Sequence, residues 1–68
     1  MAYDVWVNGE ATRVQQDKSV ADLVREYSTK QTGIAVAVNE TVLTRDEWAR
    51  TILASGDRVE IVSAVQGG

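Results

Sequence analysis

The sequence predicts an α+β fold: a mixed sheet with one long helix packed on one face and a short helical turn. Three observations carry this. Asn8-Gly9, the strongest short hairpin signal, lies between two segments of strand character. A single apolar stripe then recurs at helical spacing, through Val20, Leu23, Val24 and Tyr27 at i, i+3, i+4 and i+7. The remainder returns to short β-branched runs. A hairpin, one helix and more strands place the helix against one sheet face. A crossover between them also lets the first and last strands pair in parallel.

The elements follow in order. Tyr3, Val5 and Val7 alternate with Asp4 and Trp6, which is strand period. Asn8-Gly9 supplies positive φ at both central positions of a type I′ turn. Residues 10–14 form the returning strand, and 15–18 a polar loop. The Ser19 hydroxyl is placed to accept from the Asp22 N–H and start the helix, which runs from about 20 to 27 or a little beyond. Asp22 and Arg25 point away from its apolar stripe. The helix end falls at 28–30, with Gln31-Thr32-Gly33 as the exit. The run 34–38 is apolar, with β-branched residues on even positions, and reads as a buried strand. Asn39-Glu40-Thr41 is a turn and Val42-Leu43 a short strand. Thr44 and Glu47 form a capping box for a short helical turn carrying Trp48. Ser55-Gly56-Asp57 turns the chain into the last strand, 58–65, with Val59 and Ile61 inward and Glu60 outward. The expected core is Val5, Val7, Leu23, Val24, Val36, Val38, Val59 and Ile61. One globular domain over 1–64 is followed by a flexible tail, 65–68.

Length and composition narrow the function. A chain of 68 residues buries only about 60% of the surface its unfolded form exposes, so it has no room for a large active-site cavity. An apolar content of 44% is that of a globular protein. With no Cys there is no disulfide framework, thiolate zinc site or cysteine nucleophile. With no His there is no imidazole base. A net charge of −3, with the Lys and Arg residues scattered, argues against a nucleic-acid footprint. The apolar run at 34–38 is too short to span a membrane. Met1 leads into no basic or apolar leader, so a cytoplasmic location is expected. Such a chain reads as a partner or substrate rather than an enzyme.

The residues then resemble a known family. The element order is similar to the β-grasp, or ubiquitin-like, fold, and five features resemble the ThiS family of sulfur carriers in thiamin biosynthesis. These are Val7-Asn8-Gly9-Glu10 closing the first strand, the helix from Ser19, Val36-Ala37-Val38-Asn39, the R-x-x-W of Arg45-Asp46-Glu47-Trp48, and Asp57-Arg58-Val59-Glu60-Ile61-Val62 leading to Val65-Gln66-Gly67-Gly68. Relatives often carry a proline before the Arg, where this chain has Thr44. The resemblance implies that a ubiquitin-activating-like adenylyltransferase of the ThiF type adenylates Gly68. A sulfur donor protein then converts the adenylate to a thiocarboxylate, and a thiazole synthase of the ThiG type consumes the sulfur. No cofactor is bound by the chain itself; ATP and Mg belong to the activating enzyme.

The residues suit that chemistry. A terminal carboxylate is ionised at neutral pH and a poor electrophile until adenylated. Extended, Val65, Gln66, Gly67 and Gly68 reach about 13 Å. Two glycines lack Cβ and thread a narrow channel. Ordering them costs about 1–2 kcal/mol per residue, which a docking surface on the globule has to offset. In the β-grasp arrangement the first, third and last strands are neighbours. Period 2 then turns Trp6, Ala35, Ala37 and Val62 to the open sheet face as one apolar patch with a projecting anchor.

Plainer roles stand beside these. Gly67-Gly68 alone reads equally as a frayed end, Trp6 as a half-covered surface aromatic, and Trp48 as packing. Arg45 reads as support for the Trp48 turn. Asp46, Glu47, Asp57 and Glu60 form an acidic surface, and Asp4 with Glu60 is a candidate complement to a basic enzyme. Two functional alternatives remain: a carrier for molybdopterin or cysteine synthesis, and a ubiquitin-like modifier or interaction module.

Overall fold

The computed structural model describes residues 1–27 and 33–63. The expected helix end at 28–30, Gln31 and Thr32 of the exit, the end of the last strand and the tail 65–68 lie outside the described residues. Within them the order is β1 (Ala2–Val7), β2 (Glu10–Gln15), α1 (Val20–Tyr27), β3 (Ile34–Val38), β4 (Thr41–Leu43), α2 (Arg45–Arg50) and β5 (Arg58–Ser63). They build one five-stranded sheet in the order β2-β1-β5-β3-β4. The expected architecture is therefore found, with α1 the longer of two helices.

Local chemistry sets each junction. Val7 pairs with Glu10 across a two-residue turn in which Asn8 has φ 51° and Gly9 φ 83°. Both values are positive, as type I′ requires. Val38 pairs with Thr41 across a second such turn, with Asn39 at φ 51° and Glu40 at φ 73°. The Asp22 N–H donates to Ser19 Oγ at 3.1 Å, capping α1. At α2 the Thr44 N–H donates to Glu47 Oε1 at 2.7 Å, the reach-back of the capping box. Asp57 Oδ2 accepts from the Ala54 N–H at 2.8 Å and closes the turn into β5.

β5 is inserted between the two hairpins. It runs parallel to β1, with Trp6 opposite Arg58 and Val7 opposite Val59. It runs antiparallel to β3, from Ile34 opposite Ser63 to Val38 opposite Val59. Val5, Val7, Val36, Val59 and Ile61 turn to one face and are buried with Val20, Leu23 and Val24 of α1. Each such side chain taken from water stabilises by about 1.5–3 kcal/mol.

Some expectations shift. Val38 is only half-buried, because it sits beside the turn that ends β3. Tyr27 continues the helical stripe, yet it is 51% exposed. Its place at the end of α1 carries the ring past the core, where its hydroxyl meets Asn8. The core also takes in Val14, Trp48 and Leu53. Leu53 lies between α2 and β5 and is 2% exposed. Its N–H donates to the Lys18 carbonyl at 2.9 Å, and its carbonyl accepts from the Tyr3 hydroxyl. The irregular segment is thus pinned by main-chain bonds rather than by an element of its own.

Candidate functional site

The helices cover one face of the sheet and leave the other open. Trp6, on β1, is 46% exposed, and Val62, on β5, is 59% exposed. Ala35, on β3, is exposed and Ala37 half-buried. All four residues expected on the open face are there. The register explains it: Ala35 lies opposite Val62, and directly opposed residues point to the same side.

The patch is divided, however. Ala37 lies opposite Glu60, and Trp6 opposite Arg58. The open face of β5 therefore carries Arg58 and Glu60 between Trp6 and the alanines. Two hollows result. One, of about 240 Å³, is lined by Trp6, Gly9, Arg58, Val59 and Glu60. The other, of about 180 Å³, is lined by Ala35, Val36, Ala37, Val42, Glu60 and Val62. Glu60 borders both. Val42 carries no sequence signal for this face, because a three-residue strand gives too short an alternation to read. Its pairing with Ala37 puts it on this face, 73% exposed.

The charges around the patch separate into used and unused groups. Asp4 is bound by Arg13 across the hairpin, Nε to Oδ1 at 3.0 Å, and both are exposed. Such a pair contributes about 0–1 kcal/mol. Glu60 has no ion-pair partner among the described residues. Of the two carboxylates expected to meet a basic partner, Glu60 alone faces the patch without a cation already on it. No cluster of acidic side chains able to hold a metal ion occurs among the described residues. Nor does any helix among them have the length and apolar character to cross a membrane.

Val65, Gln66, Gly67 and Gly68 lie outside the described residues. The last described strand leads toward them from the middle of the sheet, with Val62 and Ser63 still paired to β3. The exposed patch and the departing chain therefore share β5. A partner seated on Trp6 and Val62 would lie against the strand from which the tail continues.

Comparison with known proteins agrees with this architecture. The chain is similar to the sulfur carrier protein ThiS of Thermus thermophilus, 36% identical over 64 residues, covering 94% of this chain and 98% of the relative. It is 28% identical over 61 residues to the sulfur carrier protein ThiS of Escherichia coli, covering 90% and 92% of the two chains. The crystal structure of the thiamine biosynthesis protein ThiS from Geobacter metallireducens superposes with a TM-score of 0.78 at 28% identity, covering 96% of this chain and 99% of that one. The ThiS family model matches residues 5–68, from within β1 through the rest of the sheet to Gly67-Gly68. With the β-grasp order, the R-x-x-W helix and the terminal glycines in one continuous match, the chain belongs to the ThiS family.

Proposed function

We propose that this protein is a sulfur carrier of thiamin biosynthesis, a consumed and regenerated co-substrate rather than a catalyst. The observation that carries the reading is the family match, which continues through the sheet into Gly67-Gly68. The reacting group is the Gly68 carboxylate. One of its oxygens attacks the α-phosphorus of ATP and pyrophosphate leaves. Sulfide supplied by a sulfur donor protein then attacks the acyl carbon, AMP departs with that oxygen, and loss of the S–H proton leaves the terminus as a thiocarboxylate. ATP and Mg are held by an adenylyltransferase of the ThiF type, and the sulfur passes to a thiazole synthase of the ThiG type. Use of ATP makes this a cytoplasmic role. The chain contributes a reachable carboxylate, the Val65 to Gly68 tether and the surface of Trp6, Ala35, Ala37 and Val62.

The test is an intact-mass measurement after incubation with the adenylyltransferase, ATP and a sulfide source. Replacement of one oxygen by sulfur at the terminus is expected. Conjugation to lysines without that exchange identifies a modifier instead.

A further inference from the structure

The parallel ladder between β1 and β5 stops at Val7 opposite Val59, because β1 turns at Asn8. The backbone N–H of Asn8 still donates to the Val59 carbonyl at 2.8 Å. Its side chain then takes over. Oδ1 of Asn8 accepts from the Ile61 N–H at 2.9 Å, and Nδ2 donates to the Ile61 carbonyl at 3.2 Å. The remaining hydrogen of Nδ2 goes to the Tyr27 hydroxyl at 2.8 Å. A carboxamide has the donor and acceptor geometry of a peptide group. Here it stands in for the next peptide of β1, and it satisfies both main-chain groups of Ile61 on the edge facing away from β3.

We propose that Asn8 is a positioning residue for the C-terminal segment: its carboxamide prolongs the β1–β5 ladder to Ile61 and so fixes the direction in which the chain leaves the sheet toward Gly68. The turn alone asks only for a residue that accepts positive φ at position 8, which Gly or Asp also does. The three side-chain bonds go beyond that need. They tie the first hairpin, α1 and β5 together, two residues before the described strand ends at Ser63. Without them the Ile61 N–H and carbonyl lose their partners, and the edge of β5 is held on the β3 side only. A strand end secured on one side leaves more of the chain to be ordered when the tail enters a partner's channel. The cost falls on docking and not on the chemical step. This role rests on the adenylation reading above.

The experiment compares wild type with Asn8→Gly, which keeps the turn and deletes the clip. It has two readouts: amide hydrogen exchange at Ile61, and ATP–pyrophosphate exchange by the adenylyltransferase as carrier concentration is varied. In Asn8→Gly the Ile61 amide is expected to exchange at least about tenfold faster than in wild type. The KM for carrier is expected to rise by about tenfold at unchanged kcat, the factor for ordering roughly one further residue. Should Asn8→Gly not fold, Asn8→Asp keeps the turn and the acceptor for Ile61 N–H but loses both donated bonds, and a raised KM is again expected. An Ile61 amide as protected as in wild type overturns the clip, and fast exchange at Ile61 with unchanged KM overturns the positioning role. Wild type that supports no pyrophosphate exchange overturns the adenylation reading itself, and the Ile61 amide then still reports separately on the clip.

Discussion

The guanidinium of Arg45 lies 5.3 Å from the centroid of the Trp48 ring, three residues along α2. Trp48 is 5% exposed, and its Nε1 is buried with no hydrogen-bond partner among the described residues. The R-x-x-W pattern is therefore a packing device in which an exposed cation sits over the outer face of a core indole. A contact of this kind at an exposed site contributes about 0.5–1 kcal/mol.

That arrangement ranks three variants in a denaturant melt. Trp48→Ala empties a large core site and is expected to cost about 3–5 kcal/mol. Trp48→Phe keeps most of the ring and removes the unpaired N–H, so its loss is expected to be the smaller of the two. Arg45→Ala is expected to cost no more than about 1 kcal/mol. A loss at Arg45 as large as that of Trp48→Ala would show that the arginine does more than cover the ring.

Leu23 and Leu53 approach the core from opposite directions of regularity, one on α1 and one on an irregular segment, and both are almost fully buried. Leu53→Ala and Leu23→Ala are each expected to cost about 2–5 kcal/mol. Against a typical total of about 5–15 kcal/mol, either loss visibly populates the unfolded state. A loss in that range at both sites, read by urea titration, is the expected outcome, and a near-zero loss at either would remove that residue from the core.

Trp6 is expected to separate stability from binding. Its side chain stands on the open face, so Trp6→Ala leaves the melt nearly unchanged. Affinity for the adenylyltransferase or the thiazole synthase is expected to fall by more than about 1–2 kcal/mol, measured by calorimetric titration. A collapsed melt with intact binding would reverse both assignments.

The terminus makes the sharpest demand. One residue added after Gly68 displaces the carboxylate by about 3.3–3.6 Å. A shift of about 1 Å in near-attack geometry already costs about a hundredfold in rate. The lengthened protein is expected to fold and dock but to support pyrophosphate exchange very slowly. Gly67→Val keeps the carboxylate in place and adds a branched Cβ, so weaker entry with the fold intact is expected. Full exchange by the lengthened protein would remove Gly68 from its role.

Most of the fold was legible because local rules and the global pattern agree. Asn8-Gly9 specified its turn, Ser19 its cap, and the alternation around Val5 and Val59 its buried face. Leu53 carries no such signal, because no periodicity marks a residue whose N–H donates to the Lys18 carbonyl and whose carbonyl accepts from the Tyr3 hydroxyl. The open face was legible residue by residue, since period 2 alone sends Trp6, Ala35, Ala37 and Val62 outward. Its division by Arg58 and Glu60 was not, because it depends on the register between β5 and its two neighbours. The clip at Ile61 was hidden for the same reason: Asn8 and Ile61 meet only once strands 53 residues apart are aligned.

The last strand of the described fold is also its middle one. While the chain is being synthesised, β1–β2 and β3–β4 can form as separate hairpins, yet neither has a partner for its inner edge until β5 emerges and joins them. Closure of the sheet therefore waits for β5, and it relies on contacts distant in sequence, which form slowly. A nascent or truncated chain that stops short of β5 has two unmatched strand edges. On the proposed reading, the architecture makes maturation self-checking: the strand that leads to the reactive carboxylate is in place only once it has drawn both hairpins together.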